Sequence, residues 1–356
     1  FLFDVSLEAS LRCTVNALRL TAKKLKNLHS GKIDEVLCVF SSPWFVSKTK
    51  IITVAREKPF EVKNDFFSQL IEEEERSFTP LIAGQAGDRK ENSRLIEHEV
   101  IKAELNGYYV KNPAGKTAKS VKSYIYLSAG VKKAMESAEK EIAKIFIHTP
   151  LKFATSSLVA FKVLSDIIKK EEGFLIIDIG GETTEINLIR NSALEQSASF
   201  SKGSNLLFRK IAAELNTFLS EAPSIIKAYA RGHRTLESSD KIAAAIKDSI
   251  AEWGDYLKSS LAGMAKERLL PQNIFIIGDA LVGRFFSSCL ERNDFSEFTI
   301  LRKPFAASKI KPEWLLRYFK AGDYQAENMD IMLMIEAVYA NKSLEIRNLM
   351  NICPEK

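Results

Sequence analysis

Residues 174–189, FLIIDIGGETTEINLI, constrain the fold more than any other stretch of the chain. Two apolar runs flank an acid, a pair of glycines and two threonines. Short apolar runs bounded by glycine predict buried strands, so this stretch predicts a strand, a tight turn and a second strand. Two interpretations of the turn stay open: an ordinary hairpin, or a loop that cradles phosphate.

The residues of this turn have the chemistry that a phosphate loop needs. Asp178, at the end of the first strand, could hold a hydrated Mg²⁺ ion. Gly180 and Gly181 have no Cβ, so their backbone N–H groups can approach phosphate oxygens closely. Thr183 and Thr184 could add hydroxyl donors to the same oxygens. The turn is therefore a candidate phosphate and magnesium site.

Two further stretches could complete a nucleotide site. In FSKGSNLLFRKIAAEL (200–215), Gly203 and Ser204 begin a predicted helix whose N-terminal amides and dipole would favour an anion or a ribose. In FIIGDALVG (275–283), a buried strand ends at Gly278, where the backbone could pass close to a flat base. Taken singly, a Gly-Ser start is also a common helix cap, and a strand–glycine–helix corner occurs in many α/β folds. Their order along the chain favours one nucleotide site.

Helices and strands alternate along the rest of the chain, which predicts an α/β or α+β protein. Apolar residues at steps of three and four predict a helix over 5–28. The order strand–helix–strand–strand is predicted at 48–56, 63–78, 94–110 and 119–131, with a loop over 80–93. The other predicted elements are strands at 34–42 and at FIHTP (146–150), helices over 132–145, 156–170, 203–230 (interrupted at Pro223), 240–267 and 327–341, and a strand–turn–helix over 273–290.

Charge, cysteine usage and hydropathy argue against a nucleic-acid-binding protein, a zinc protein and a membrane-inserted protein. The net charge is +6, but the lysines are spread along the chain without an aromatic-interleaved stripe, so we expect no nucleic-acid partner. The 4 cysteines are scattered, which argues against zinc and fits a reducing cytoplasm. No apolar run reaches about 18 residues, so we expect no direct membrane insertion. Because the chain starts at Phe1 without a methionine or a signal-peptide pattern, we expect a fragment or a trimmed chain.

The three motifs, in this order, resemble the second phosphate motif, the glycine helix start and the adenosine motif of the actin-like ATPase superfamily. Within that superfamily the chain is most similar to the FtsA/PilM-like group, because its strand–helix–strand–strand order resembles the inserted SHS2-type subdomain of that group. The resemblance covers about residues 30–345 and is strongest at 174–215 and 274–290. It implies an α/β, ribonuclease-H-like, two-lobed fold that binds ATP and Mg²⁺.

The resemblance also implies roles for individual residues. Those facing the phosphates would be Asp178, which would hold Mg²⁺ through water, and Gly180, Gly181, Glu182, Thr183 and Thr184. Those facing the nucleoside would be Gly203 and Ser204 near the sugar, Gly278, Asp279 and Ala280 near the adenine, and Lys227 against the nucleoside.

The resemblance further implies a division of the chain and a biological role. The regions would be a remnant of the first lobe (1–45), the SHS2-type subdomain (46–131), a return to the first lobe with connecting helices (132–172), the second lobe with a reduced helical subdomain (173–345) and a tail (346–356). The group implies a cytoplasmic scaffold of cell division or type IV pilus assembly. Such a scaffold would bind protein partners, self-associate through the SHS2-type subdomain and reach the inner face of the membrane through a partner.

Three departures of the sequence from the family pattern bear on nucleotide binding and hydrolysis. The leucine spacing favours Asp4-Val5-Ser6 as a helix cap over a phosphate-1 loop, so we expect the phosphate-1 strands to be absent. Phe161 stands where family ATPases place a Gln or Glu that orients water, and an aromatic ring cannot do this. Asp279 replaces a glycine beside the base. We therefore predict weak or no hydrolysis and assign no catalytic residue.

Two alternatives to an ATP-binding scaffold stay open. One is a pseudo-ATPase, an interaction protein that keeps the fold and binds no nucleotide. The other is a sugar or acid kinase of the same superfamily. A kinase needs a substrate-binding acid or base between the lobes, and the sequence offers no candidate for it.

Overall fold

A computed structural model of the chain describes residues 7–28, 31–85, 92–170, 172–232, 236–279, 282–318 and 329–352. The chain divides into two compact units. The first unit is Phe1–Val159 with Ser192–Glu195, and the second unit is Ala160–Asn191 with Gln196–Lys356. Both units contain helices and strands, as the alternating pattern predicted.

The elements up to residue 155, in chain order, are α1 (Leu7–Leu28), β1 (Val36–Phe40), β2 (Phe45–Glu61), α2 (Phe66–Gln85), β3 (Ser93–Leu105), β4 (Tyr108–Tyr109), β5 (Thr117–Val131), α3 (Lys132–Ile145) and β6 (Leu151–Thr155). The elements that follow are α4 (Ser156–Ile167), β7 (Phe174–Ile179), β8 (Thr184–Arg190), β9 (Ala193–Phe200), α5 (Ser204–Leu215), α6 (Ala222–Ala230), α7 (Leu236–Ala265), β10 (Asn273–Gly278), α8 (Val282–Arg292), β11 (Ala306–Lys309), α9 (Pro312–Leu316) and α10 (Ile331–Ile352).

The first unit contains a small parallel sheet of β1 and β6. The apolar face of α1 packs against α3 and this sheet, with Leu11, Phe40 and Met135 in a shared core. The predicted helix at 5–28 is confirmed from residue 7 onward, whereas Asp4 lies outside the described residues. The strand predicted at 146–150 is wrong, because this stretch turns at His148 (φ 59°) and the strand begins at Leu151.

A four-stranded antiparallel sheet, in the order β2-β5-β3-β4, forms the rest of the first unit. Helix α2 packs on it through Phe78 against Ile125 and Leu127 of β5. The predicted strand–helix–strand–strand order is confirmed. The loop predicted over 80–93 is wrong in part, because α2 continues to Gln85 and β3 begins at Ser93.

A partly buried hydrogen-bond network joins the two sheets of the first unit. The Glu97 carboxylate accepts from the Thr155 backbone N–H (3.1 Å) and hydroxyl (2.6 Å), and from the Ser128 hydroxyl (3.2 Å). The Tyr126 hydroxyl lies 2.8 Å from that of Thr155. Buried polar groups stabilise a fold when they are paired in this way, so the network fixes β6 against β3 and β5.

The second unit is built on a five-stranded sheet in the order β11-β10-β7-β8-β9. Strands β7, β10 and β11 are parallel, and β8 is antiparallel to β7. Helices α5, α7 and α8 pack on the sheet, with the fully buried Trp253 and Phe286 in the core. Strands β9 and β11 were not predicted. The predicted tail, 346–356, is helical through Ile352, where α10 ends.

The sequence predicts no direct membrane insertion, and the length and hydropathy of the helices bear on this prediction. Among the residues that the structure describes, no helix combines the length and the hydropathy needed to cross a bilayer.

Candidate functional site

The turn after β7 and the glycine at the end of β10, two parts of the predicted site, meet at the carboxyl ends of these strands in the second unit. Strands β7 and β10 are parallel and in register, with Asp178 beside Ile277 and Ile179 beside Gly278. Gly278 has φ +151°, and a Cβ there would lie 3.2 Å from the Ile179 carbonyl oxygen. Glycine is therefore favoured here, because an L side chain would be strained at this φ and would crowd the Ile179 backbone. The turn after β7 and the corner after β10 are direct neighbours.

The third corner, at the start of α5, contacts the same turn. The backbone N–H of Ser204 donates to the Gly180 carbonyl (2.9 Å), and that of Asn205 to the Gly181 carbonyl (2.8 Å). A Cβ on Gly203 would lie 2.4 Å from the Gly180 oxygen and 2.6 Å from the Gly181 oxygen. The structure thus brings residues 178–184, 203–204 and 278–279 together; their contact with a nucleotide stays a prediction.

The start of α5 differs from the prediction in one respect. We expected the N-terminal amides of this helix to be open to an anion, but those of Ser204 and Asn205 are used by the glycine carbonyls. An amide that already donates to a carbonyl cannot bind phosphate without breaking that bond. We therefore expect a phosphate in this region to meet the backbone of the turn itself, at 181–182.

Glu182 links the turn to α5 through hydrogen bonds. Its carboxylate accepts two hydrogen bonds from the Arg209 guanidinium (2.9 and 2.8 Å) and one from the Asn205 side-chain amide (2.8 Å). The Arg209 guanidinium holds the pKa of Glu182 below its usual value. Because both carboxylate oxygens are engaged by α5, the contact between Glu182 and phosphate that the resemblance implies does not fit this geometry.

The hydroxyl of Thr184 is also engaged. It is fully buried, donates to the Lys202 carbonyl (2.7 Å) and accepts from the Trp253 indole N–H (2.9 Å). A hydroxyl has one proton to donate, so the expected donation from Thr184 to a phosphate does not fit either. Thr183 is partly exposed, and its carbonyl accepts from the Gly180 N–H (3.0 Å).

Carboxylates gather around Asp178. Burial, together with the charges of Glu185, Asp330 and Glu336, raises the pKa of Asp178 to about 8. Burial and the nearby Asp330 raise the pKa of Glu336 to about 7. Asp330 immediately precedes α10 and caps it by accepting from the Leu333 N–H (2.8 Å). A cation near Asp178 would relieve this repulsion.

The carboxylates near Asp178 fit a hydrated Mg²⁺ better than a metal ion that is bound directly by several side chains. Within the described part of the chain, no group of three or more His, Cys, Asp or Glu side chains is placed to hold a metal. Mg²⁺ commonly keeps several waters and is held by one or two carboxylates and the phosphates of its nucleotide. Asp178 could supply such a carboxylate.

The other residues that the sequence predicted for nucleotide binding or hydrolysis do not all lie beside the turn after β7. Lys227 is exposed on α6, and Asp279 is exposed after β10, where its carbonyl accepts from the Gly283 N–H (2.7 Å). Ala280 lies outside the described residues. Phe161, on α4, is 6% exposed, so its ring serves packing.

Several residues that shape the site were not predicted from the sequence. They are Asn205, Arg209, Trp253, Asp330, Glu336 and Glu185. Only Glu185 gave a signal, as an acid inside an apolar strand, where it accepts from the Asn187 side chain (3.0 Å). Asp330 lies just before α10, and the others lie on helices whose sequences look ordinary.

No family model matches the chain. Among solved structures, it is similar to the "PilM-PilN type IV pilus biogenesis complex" over 92% of this chain and 85% of that chain, with a TM-score of 0.63 and 14% identity. An identity this low shows a shared fold and nothing about shared activity.

Among curated proteins, the chain is 23% identical to the cell division protein FtsA of Neisseria meningitidis serogroup B (strain ATCC BAA-335 / MC58) over 138 residues, 39% of this chain. The match spans 32% of that protein's length. A third similarity, to Ta0583, an archaeal actin homologue in complex with ADP, has a TM-score of 0.35 at 17% identity and covers 55% of this chain and 58% of that chain. That TM-score is too low to support a conclusion about this chain.

Proposed function

We propose that this chain, which has the actin-like α/β fold in its PilM/FtsA-like form, is a nucleotide-binding scaffold with weak or no hydrolysis. ATP with Mg²⁺ is the ligand that the proposal names. The observation that carries it is the meeting of the turn at 178–184 with the glycine corners at 203 and 278. In parallel α/β sheets, ligands bind beyond the carboxyl ends of the strands, and this is where β7 and β10 end.

The assignment of parts follows from that geometry. The amides at 181–182 would face phosphate, Asp178 would hold a water of Mg²⁺, and the Gly278 backbone would lie against the base. The predicted neighbours of the sugar, Gly203 and Ser204, lie against the phosphate turn. Weak hydrolysis follows from Phe161, which is buried and can neither accept a proton nor orient water.

A second candidate function is an interaction protein that binds no nucleotide. It is favoured by the engagement of groups that would otherwise contact phosphate: the Ser204 and Asn205 amides, the Glu182 carboxylate and the Thr184 hydroxyl. Both candidates are scaffolds, and they differ in ligand alone.

The biological setting is part of the same proposal. The chain would bind protein partners in a type IV pilus or cell-division complex, in the cytoplasm at the inner face of the membrane, and would reach the membrane through a partner. Self-association would use the four-stranded sheet of the first unit, where β2 is an edge strand among the described residues.

A titration with a fluorescent ATP analogue, with and without Mg²⁺, tests the ligand. Wild-type protein should bind more tightly with Mg²⁺, and Asp178→Asn should abolish that gain at nearly constant shape. Asp248→Asn is the matched control, because Asp248 is exposed on α7. It should titrate as wild type does.

Each outcome decides between the candidates. Saturable binding that ATP displaces supports the nucleotide scaffold, whereas no binding at millimolar analogue supports the interaction protein. Brisk ATP turnover that Asp178→Asn removes would contradict the prediction of weak hydrolysis.

A further inference from the structure

A cavity of about 520 Å³ lies in the second unit, away from the candidate nucleotide site. It is lined by the end of α4 and the residues after it, by β10 and β11, and by α9. Its β10 residues, Asn273 and Phe275, precede Gly278 by three or more positions. At about 3.3 Å per residue, the cavity is roughly 10 Å along the strand from the corner at Gly278.

The inner wall of the cavity is apolar. Phe275 of β10 and Trp314 of α9 meet with ring centroids 6.2 Å apart at 69°, and Ile168 lies beside them. Phe275 is buried, whereas Trp314 keeps part of its surface exposed. A concave apolar site of this size can take one aromatic or branched aliphatic side chain with its neighbours.

The rim of the cavity is basic. Lys169, Lys170 and Arg317 are exposed at the rim. Among the described lining residues Glu313 is the one acid, which gives those residues a net charge of +2. Exposed ion pairs contribute about 0–1 kcal/mol each, which is too little to hold a small anion by charge alone. Such cations instead steer and orient a ligand whose affinity comes from an apolar anchor.

We propose that this cavity is a docking site for an acidic segment of a partner protein. An aromatic or branched aliphatic side chain of the segment packs against the paired rings of Phe275 and Trp314, and flanking carboxylates pair with Lys170 and Arg317. The proposal does not depend on nucleotide binding, because none of the site residues at 178–184, 203–204 or 278–279 lines the cavity.

Fluorescence polarisation with defined peptides tests the proposal. The probes are fluorescein-labelled twelve-residue peptides with one Phe, Trp or Leu between two pairs of Asp or Glu. The matched peptides carry Asn or Gln in place of those acids. We expect at least one acidic peptide to bind saturably, its amide counterpart to bind at least tenfold more weakly, and binding to weaken as salt is raised.

Variants of the cavity separate specific docking from attraction to a basic surface. Lys170→Glu and Arg317→Glu should each weaken binding about fivefold to tenfold, and Trp314→Ala should remove it. Lys247→Glu, on the exposed face of α7, changes net charge equally and should leave binding unchanged. If Trp314→Ala fails to fold, Trp314→Leu and the two charge reversals still decide the matter.

Three results would overturn the proposal. The first is no binding of any acidic peptide at millimolar concentration. The second is equal weakening by Lys170→Glu and Lys247→Glu, which would mean that net charge alone attracts the peptides. The third is concentration-dependent dimerisation in sedimentation that Lys170→Glu abolishes, which would make a second copy of this chain the occupant.

Discussion

Replacing Gly203 with alanine should uncouple α5 from the turn after β7. A Cβ at this position would lie 2.4 Å from the Gly180 oxygen and 2.6 Å from the Gly181 oxygen, distances that real side chains do not tolerate. Both obstructing atoms are backbone oxygens of the turn, which cannot rotate away as a side chain can. The start of α5 must therefore move away from the turn. That movement breaks the hydrogen bonds from Ser204 (2.9 Å) and Asn205 (2.8 Å) to those carbonyls.

The expected cost follows from those contacts. Two backbone hydrogen bonds contribute about 1 kcal/mol each, and overpacking in a closed site costs about 1–3 kcal/mol. The variant should therefore lose about 3–5 kcal/mol of the free energy of unfolding of the second unit. With a urea m-value of about 2 kcal/mol/M, the midpoint should fall by about 1.5–2.5 M.

Urea unfolding followed by circular dichroism measures the midpoint, and hydrogen exchange of the peptide that covers 200–210 reports on the two amides. Gly263→Ala is the matched control, because Gly263 is exposed on α7 and a Cβ there meets nothing within 4 Å. Alanine there should be neutral or stabilise by up to about 1 kcal/mol. If Gly203→Ala keeps the wild-type midpoint and the protection of Ser204 and Asn205, the described contact between α5 and the turn is wrong.

Three further predictions concern the same unit. Trp253→Phe removes the indole donor to the buried Thr184 hydroxyl and should cost about 1–3 kcal/mol in urea unfolding, whereas Tyr256→Phe, at a ring that is 40% exposed, should cost less than about 0.5 kcal/mol. Arg209→Lys removes the bidentate contact with Glu182 and should lower the free energy of unfolding by about 0.5–1 kcal/mol, and this loss should be smaller in 0.5 M salt. The raised pKa of Asp178 (about 8 against 3.8) means that the folded state binds its proton more tightly than the unfolded state, so the free energy of unfolding should fall as pH rises from about 4 to about 8 in the absence of Mg²⁺. At about 1.4 kcal/mol for each pKa unit, Asp178→Asn should reduce that fall by an amount on the order of 5 kcal/mol, and identical pH profiles for the variant and wild type would contradict this account of Asp178.

The sequence predicts much of the fold because its strongest signals are local. The apolar runs of β7 and β10 and the leucine spacing of α1 predict their elements to within about two residues. Strand β9, ALEQSASF, and the four residues of β11 lack such a run. They are strands because the sheet offers them partners, which is a tertiary effect.

The candidate site is less predictable than the fold. Glycines at 180, 181, 203 and 278 indicate where backbones approach closely, and three of these approaches are observed. The sequence does not show which hydrogen-bond partners the turn uses. Arg209 and Trp253 lie 27 and 69 residues beyond Glu182 and Thr184, and they engage those side chains only because α5 and α7 pack beside the turn.

Photolabelling with 8-azido-ATP in the presence of Mg²⁺, followed by peptide mapping, tests the central claim most directly. The account predicts ATP-sensitive labelling of peptides from the end of β10 or the start of α5, which meet at the turn after β7. Labelling that excess ATP does not displace, or that maps to the first unit alone, would contradict a nucleotide site at this edge of the sheet.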